Sequence, residues 1–232
     1  MYEKIVKRIL DIVLSLIGLI VLSPVLVILA AIGAILMRGN PFFLQPRPGK
    51  IDPKTGKEKI FLLIKFRSMT ERRDAHGNLL SDDKRLTKYG EWLRASSCDE
   101  LPELINILIG DMSLVGPRPQ LVRDMVFMTE TQRRRHSVLP GLTGLAQCNG
   151  RNNMSWEQKF AYDLKYIDNI TFWGDVKILA KTAVKVFQKE GISEDGRATA
   201  LDFGDYLLEK ELVDFEAYLQ KQNEAIALIR GR

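Results

Sequence analysis

From Ile12 to Met37 the chain carries no charged residue over 26 positions. No other feature restricts the fold as much. A helix rises about 1.5 Å per residue, so the run reaches about 39 Å, beyond the ~30 Å hydrocarbon core of a bilayer. It is also longer than the apolar region of a cleaved signal peptide, roughly 7–15 residues. Ser23-Pro24 divides it. Pro24 has no N–H for the Ile20 carbonyl and its ring opens that turn, while the serine before it is biased away from helical geometry. The serine hydroxyl offers the freed carbonyl another partner. Lys4, Lys7 and Arg8 precede the run and Arg38, Arg47 and Lys50 follow it. The positive-inside rule distinguishes the ends of a span by an asymmetry, and here both flanks are basic. A kinked span and a re-entrant helix with both ends cytoplasmic are therefore competing readings of residues 1–38. The rest has the composition of a charged soluble domain.

The net charge is +5, which suits an anionic membrane surface, a phosphate-bearing substrate or nucleic acid. The apolar anchor favours the first two. No zinc-finger spacing, basic zipper or RNP-like motif supports nucleic acid. Cys98 and Cys148 form no CxxC pair and read as free thiols of a reducing compartment. His76 and His136 stand apart without a metal-ligand pattern, which disfavours zinc and Ser-His-Asp chemistry.

Residues 38–61, rich in Pro, Gly and Lys, read as loop and hairpin with a short strand at 41–45. "IFLLIKFRSM" at 60–69 predicts a strand that places Lys65 and Arg67 on one side by period two. Residues 85–96 predict a helix whose face of Leu86, Tyr89, Trp92 and Leu93 suits a membrane interface or a core. Leu101, Leu104, Ile105 and Leu108 predict an amphipathic helix, started by Ser and Asp with Pro102 in its first turn and ended by Gly110. Further helices are predicted at about 120–135, 156–169 and 174–189, with a Gly-rich loop at 139–153 and irregular chain at 190–205. Over 206–230, Leu208, Leu212, Phe215, Leu219, Gln222, Ile226 and Ile229 are spaced as the seam of a short coiled coil. That helix either pairs with a second copy or docks on its own domain.

Asp99 and Glu100 fall at a predicted helix start, where the cap residue has non-helical geometry and both carboxylates can reach one small volume. A capping Asp beside a helix-favouring Glu accounts for the same pair without chemistry. Downstream, "GDMSLVGPRP" sets Arg118 between two prolines, so its guanidinium is presented with little freedom and matches a phosphate in bidentate fashion. "PGLTGLAQCNGR" supplies glycines for close backbone approach and Arg151. Lys65, Arg67 and Arg94 add cations. Carboxylates amid these cations suit a divalent metal and a diphosphate.

In order, "KFRSM", "CDELPELINILIGDMSLVGPRP", "PGLTGLAQCNGR" and "WEQKFAYDLKYIDN", behind a basic-apolar anchor broken by Ser-Pro, resemble the bacterial sugar transferases. These are the monotopic phosphoglycosyl transferases of glycan assembly. The resemblance covers about residues 1–200 and looks closest to members that transfer phospho-N,N′-diacetylbacillosamine. It implies a mostly α fold with a small β element: an anchor (1–38) re-entrant at Ser23-Pro24, a compact catalytic domain with amphipathic interfacial helices (39–200) and a C-terminal helical extension (201–232). It implies residence on the cytoplasmic face of the bacterial inner membrane, among membrane lipids. Asp99 is expected as nucleophile and Mg²⁺ ligand, with Glu100 assisting. Arg118, Arg94 and Arg151, with Lys65 and Arg67 nearby, are expected on phosphate or nucleotide. The substrates implied are a UDP-sugar and undecaprenyl phosphate. Another UDP-sugar (N-acetylglucosamine, galactose, glucose) and a non-enzymatic membrane scaffold are the alternatives. Cys98 departs from the family pattern, which has an apolar residue such as Leu before the acid pair.

Overall fold

The structure, a computed structural model, describes residues 2–150, 154–188 and 201–231. A π-helical turn over Tyr2–Val6 leads into α1 (Lys7–Leu36). A hairpin follows, in which β1 (Phe42–Ile51) pairs antiparallel with β2 (Glu58–Phe66) and sets Phe42 opposite Phe66. The chain continues through α2 (Asp82–Arg85), α3 (Lys88–Ala95), a 3-10 turn over Cys98–Glu100, α4 (Glu103–Ile109) and β3 (Ser113–Val115). Next come α5 (Val122–Met125), α6 (Glu130–Arg133), a second 3-10 turn over Arg134–Ser137, and β4 (Gly141–Thr143), which lies parallel to β3. Then follow α7 (Leu145–Gly150), α8 (Trp156–Ile167), α9 (Phe172–Gln188), α10 (Phe203–Glu209) and α11 (Phe215–Arg230). The fold is mostly helical, as expected, and among the described residues its β structure is two small sheets where one small β element was expected.

Helix α1 with its preceding turn is long and apolar enough to cross a membrane by length and composition, and little of it is buried. The helix is not interrupted at Ser23-Pro24: it runs through Pro24 unbroken. The Ser23 hydroxyl donates to the Ile20 carbonyl at 2.8 Å, the group that proline leaves without an N–H partner.

One face of α1 is docked on the remaining chain along its whole length. Arg8 donates to the carbonyls of Ile107 and Leu108 at 2.6 and 3.0 Å, capping the C-terminus of α4. Asp11, 3% exposed, accepts the Leu114 N–H at 2.9 Å. Gly18 lies against Leu104, where a Cβ would stand 3.3 Å from the leucine side chain. Leu19 and Leu22 pack on the core of Phe61, Leu63, Leu104, Ile107 and Met112. Leu29 packs with Phe66 and Leu93, and its carbonyl accepts the Tyr89 hydroxyl at 2.7 Å. The other face leaves Ile20, Val21, Val27 and Ile35 exposed.

Several local expectations are corrected. In α4, Ile105 and Ile109 are exposed, whereas Glu103 and Asn106, on the presumed polar face, are buried with Leu104 and Ile107. The reason is that α4 is covered on two sides: α1 packs on Leu104, while Asn106 bonds the β2 backbone at Leu62 and Ile64. The predicted face of α3 divides: Leu93 is fully buried and Trp92 exposed. The helix expected at 120–135 is three short turns. Asp124 folds back on the Leu121 N–H, and Thr129 with Gln132 forms a capping box that starts α6 afresh. The presumed loop at 139–153 contains β4 and α7. The helix expected at 206–230 is broken, because Glu211 adopts a left-handed φ of +56° and separates α10 from α11. The continuous seam therefore does not form. α11 docks on its own chain, with Ala225, Leu228 and Ile229 against Val122, Met125 and Val126.

Candidate active site

After α3, Ser97 takes the left-handed conformation at φ +56°, uncommon for a residue with a Cβ. It redirects the chain into the Cys98–Glu100 turn, which lies against β2. Glu100 Oε1 accepts from Lys65 Nζ at 2.8 Å and from Arg118 Nη2 at 2.5 Å. Lys65 Nζ also stands 3.1 Å from Oε1 of Glu103, a carboxylate 2% exposed. Four segments thus meet in one ion cluster: the end of β2, the 3-10 turn, the first turn of α4 and the Pro117–Pro119 loop.

The three carboxylates are not equivalent. Burial pushes Glu100 upward, but Arg118 and Lys65 outweigh it and hold the group well below the usual carboxylate range. Asp99 is raised, first by burial and then by the neighbouring Glu100 charge, while Lys65, Arg118 and Arg94 pull the other way. No hydrogen bond reaches the Asp99 carboxylate from the described residues. Glu103 is pushed up to about 7 by burial, with Glu100 adding to the rise and Lys65 opposing it.

Of the residues singled out in the sequence, Asp99, Glu100, Lys65, Arg94 and Arg118 face one another here. Arg94 Nε donates to Ser68 Oγ at 3.1 Å. Ser68 is itself held by Gly90, where a Cβ would fall 1.9 Å from the Ser68 carbonyl oxygen. Arg67 lies beyond the last residue of β2 and pairs with Glu71 at 3.4 Å instead of with the acid cluster. Arg151 lies outside the described residues. The glycines around β3 and β4 do allow close approach, but to backbone: a Cβ on Gly141 would stand 2.1 Å from the Gly116 nitrogen. Sequence reasoning missed Glu103 and Ser68. No local signal marks Glu103, which helical periodicity puts opposite the predicted apolar face. The basic run at 133–136 is spent on structure, since Arg133 and His136 bond Glu58, Arg134 bonds Asp168 and Arg135 bonds Asp163.

An ion cluster of acids and cations thus stands beside an exposed apolar helix, and the chain belongs to the bacterial sugar transferase family, whose profile matches residues 2–189. It is 46% identical over 199 residues to EpsL of Bacillus subtilis, an uncharacterised sugar transferase, across 86% of this chain and 96% of that protein. It is 40% identical over 195 residues to the galactosyl transferase CpsE of Streptococcus agalactiae, across 77% of this chain and 41% of the relative. Over 191 residues it is 39% identical to a UDP-glucose:undecaprenyl-phosphate glucose-1-phosphate transferase of Klebsiella pneumoniae, across 78% and 40%. The chain therefore spans about two fifths of the length of the last two relatives. Helices α10 and α11 lie beyond the family match.

Proposed function

We propose that this protein transfers a sugar-1-phosphate from a UDP-sugar to undecaprenyl phosphate through a covalent intermediate on Asp99. The observation that carries the reading is the inequality of two adjacent carboxylates. Glu100 is engaged by two cations, whereas Asp99 has no hydrogen bond among the described residues and faces Lys65, Arg118 and Arg94. A carboxylate free to form a new bond, with cations positioned for phosphate charge, suits nucleophilic displacement at phosphorus.

In the first step an Asp99 carboxylate oxygen attacks the β-phosphorus of the UDP-sugar. A phosphorus–oxygen bond to Asp99 forms, the bond from β-phosphorus to the bridging oxygen breaks, and UMP leaves with that oxygen. In the second step an oxygen of undecaprenyl phosphate attacks the same phosphorus and releases the Asp99 carboxylate, leaving the sugar on undecaprenyl diphosphate. Glu100 stays ionised and holds Lys65 and Arg118 toward Asp99. The free oxygens of Asp99 fit Mg²⁺, which takes one or two carboxylates and fills its shell with substrate phosphates and water. Asp99 would hold the ion, which when bound offsets diphosphate charge.

The docking of α1 supports a re-entrant anchor on the cytoplasmic face of the inner membrane. Contacts to the remaining chain run from Arg8 to Gly33, which packs on Pro41. That distance is about 38 Å at the helical rise. A bilayer-crossing α1 would carry parts of α3, α4 and the hairpin into hydrocarbon. An α1 bent at Pro24 without losing its helical turns, so that it dips into one leaflet and leaves on the side it entered, keeps them at the interface.

For the donor, the motif resemblance favours UDP-N,N′-diacetylbacillosamine, and the names of curated relatives bring UDP-glucose and UDP-galactose beside it. The test is UMP release by the detergent-solubilised protein with undecaprenyl phosphate, Mg²⁺ and a panel of these donors plus UDP-N-acetylglucosamine. One donor should dominate, and Asp99→Asn should lower release by more than about 10³-fold. Undiminished release by Asp99→Asn overturns the covalent reading. No release from any donor leaves the scaffold alternative.

A further inference from the structure

The loop that presents Arg118 is held in an unusual way. Pro117 and Pro119 have no N–H, so the loop cannot secure itself through a regular ladder. Its three consecutive carbonyls are instead each taken by a different element. The Pro117 carbonyl accepts the Gly141 N–H at 2.9 Å. The Arg118 carbonyl accepts Arg135 Nη2 at 2.6 Å, and the Pro119 carbonyl accepts Arg47 Nη1 at 2.9 Å.

Both arginines are themselves braced. Arg135 is 1% exposed and its Nε donates to buried Asp163 at 2.9 Å. Arg47 Nη2 donates to Gln45 Oε1 at 2.6 Å. A guanidinium can bridge two acceptors in a fixed plane, which an ammonium cannot. Burying such groups is costly unless they are paired and hydrogen-bonded, and here part of that pairing is given to main-chain oxygens of the catalytic loop. The Arg118 side chain then reaches Glu100, so the backbone position of the loop sets where Glu100 and the cation beside Asp99 stand.

We infer that Arg47 and Arg135 are positioning residues that clamp the Pro117–Pro119 loop and act on phosphate transfer only through Arg118. The inference rests on the function proposed above for that site. A displacement of about 1 Å in such a group can cost about 10²-fold in rate. The two arginines approach adjacent carbonyls from β1 and from the 134–137 turn, so losing either lets the loop shift.

The test is a pair of double-mutant cycles in detergent-solubilised full-length protein. Arg47→Lys and Arg135→Lys are each made alone and with Arg118→Met, and are read by UMP release with the donor selected above and by calorimetric affinity for UDP. Circular dichroism melts check the fold. Each lysine variant should lose about 10- to 100-fold in kcat with an intact melt, yet less than about 3-fold once Arg118 is gone, because residues acting through one group are not additive. Additive losses in the Arg118→Met background overturn the clamp and leave the transferase reading standing. If wild type released no UMP, the transferase reading would fall and the UDP cycle would still decide the clamp. Should Arg135→Lys not fold, the Arg47→Lys cycle decides alone.

Discussion

At the scale of single residues, Glu103 is the group on which acidity acts. Its carboxyl is pushed from the ordinary 4.5 to about 7. Between those values the folded protein binds a proton that the unfolded chain releases. The stability tied to neutral Glu103 is therefore fully present below about pH 4.5 and lost as pH rises through about 7. Glu103→Gln keeps the shape and cannot ionise. Its melting temperature relative to wild type should rise between about pH 5 and about pH 8, by about 2–4 °C for each kcal/mol relieved. A difference that stays flat across that range would show that Glu103 does not titrate there. Asp99, Glu100 and Arg118 were singled out beforehand as an acid pair at an expected helix start and an arginine stiffened by two prolines; the structure brings the three together, but the acid pair stands in a 3-10 turn ahead of α4, which starts at Glu103 behind Pro102. Glu103 was not singled out, because the 3.6-residue period assigns it to a solvent face. That face becomes an interior because β2 crosses it, with Lys65 beside Glu103, 38 positions away in sequence, and Leu62 and Ile64 bonded to Asn106.

The elements show the same division. Helices with strong local signals, such as α8 with its Ser155–Gln158 capping box and α9, fall close to their predicted ranges. The tail does not, because its heptad spacing says nothing about the left-handed turn at Glu211. Phe203 is the first residue of α10. It is 4% exposed, with its ring centroid 5.1 Å from those of Trp156 and Phe160, and its N–H donates to buried Asp124 at 2.8 Å. Asp124 in turn faces Arg47. The segment beyond the family match is therefore joined to the interior of the catalytic body. Phe203→Ala should cost about 3–5 kcal/mol of stability. Denaturant unfolding in micelles measures it, and a loss below about 1 kcal/mol would mean that α10 is a surface appendage.

For the whole molecule, anchor and catalytic body form one structure. A helix that merely tethered a domain would expose its apolar residues all round and contact the domain only at its end. Here the docked face extends from Arg8 to Gly33 and the exposed face faces away from the protein. In the re-entrant arrangement proposed above the two basic flanks lie on the same side of the membrane, and a small reporter fused before Met1 should be cytoplasmic, as should one fused after Arg232. A periplasmic N-terminal reporter with a cytoplasmic C-terminal one would refute the re-entrant arrangement.

The bond from Asp11 to Leu114 spans 103 positions of sequence. During synthesis the apolar helix leaves the ribosome before β3, with a carboxylate on the face that will be covered. The N–H that satisfies this carboxylate does not exist until β3 has been made. The apolar helix therefore reaches its final packing only once β3 has been made. The first 38 residues are not a module that could be grafted onto another protein with their topology intact, and a nascent chain cut short before β3 would hold an anchor that has not yet acquired its place.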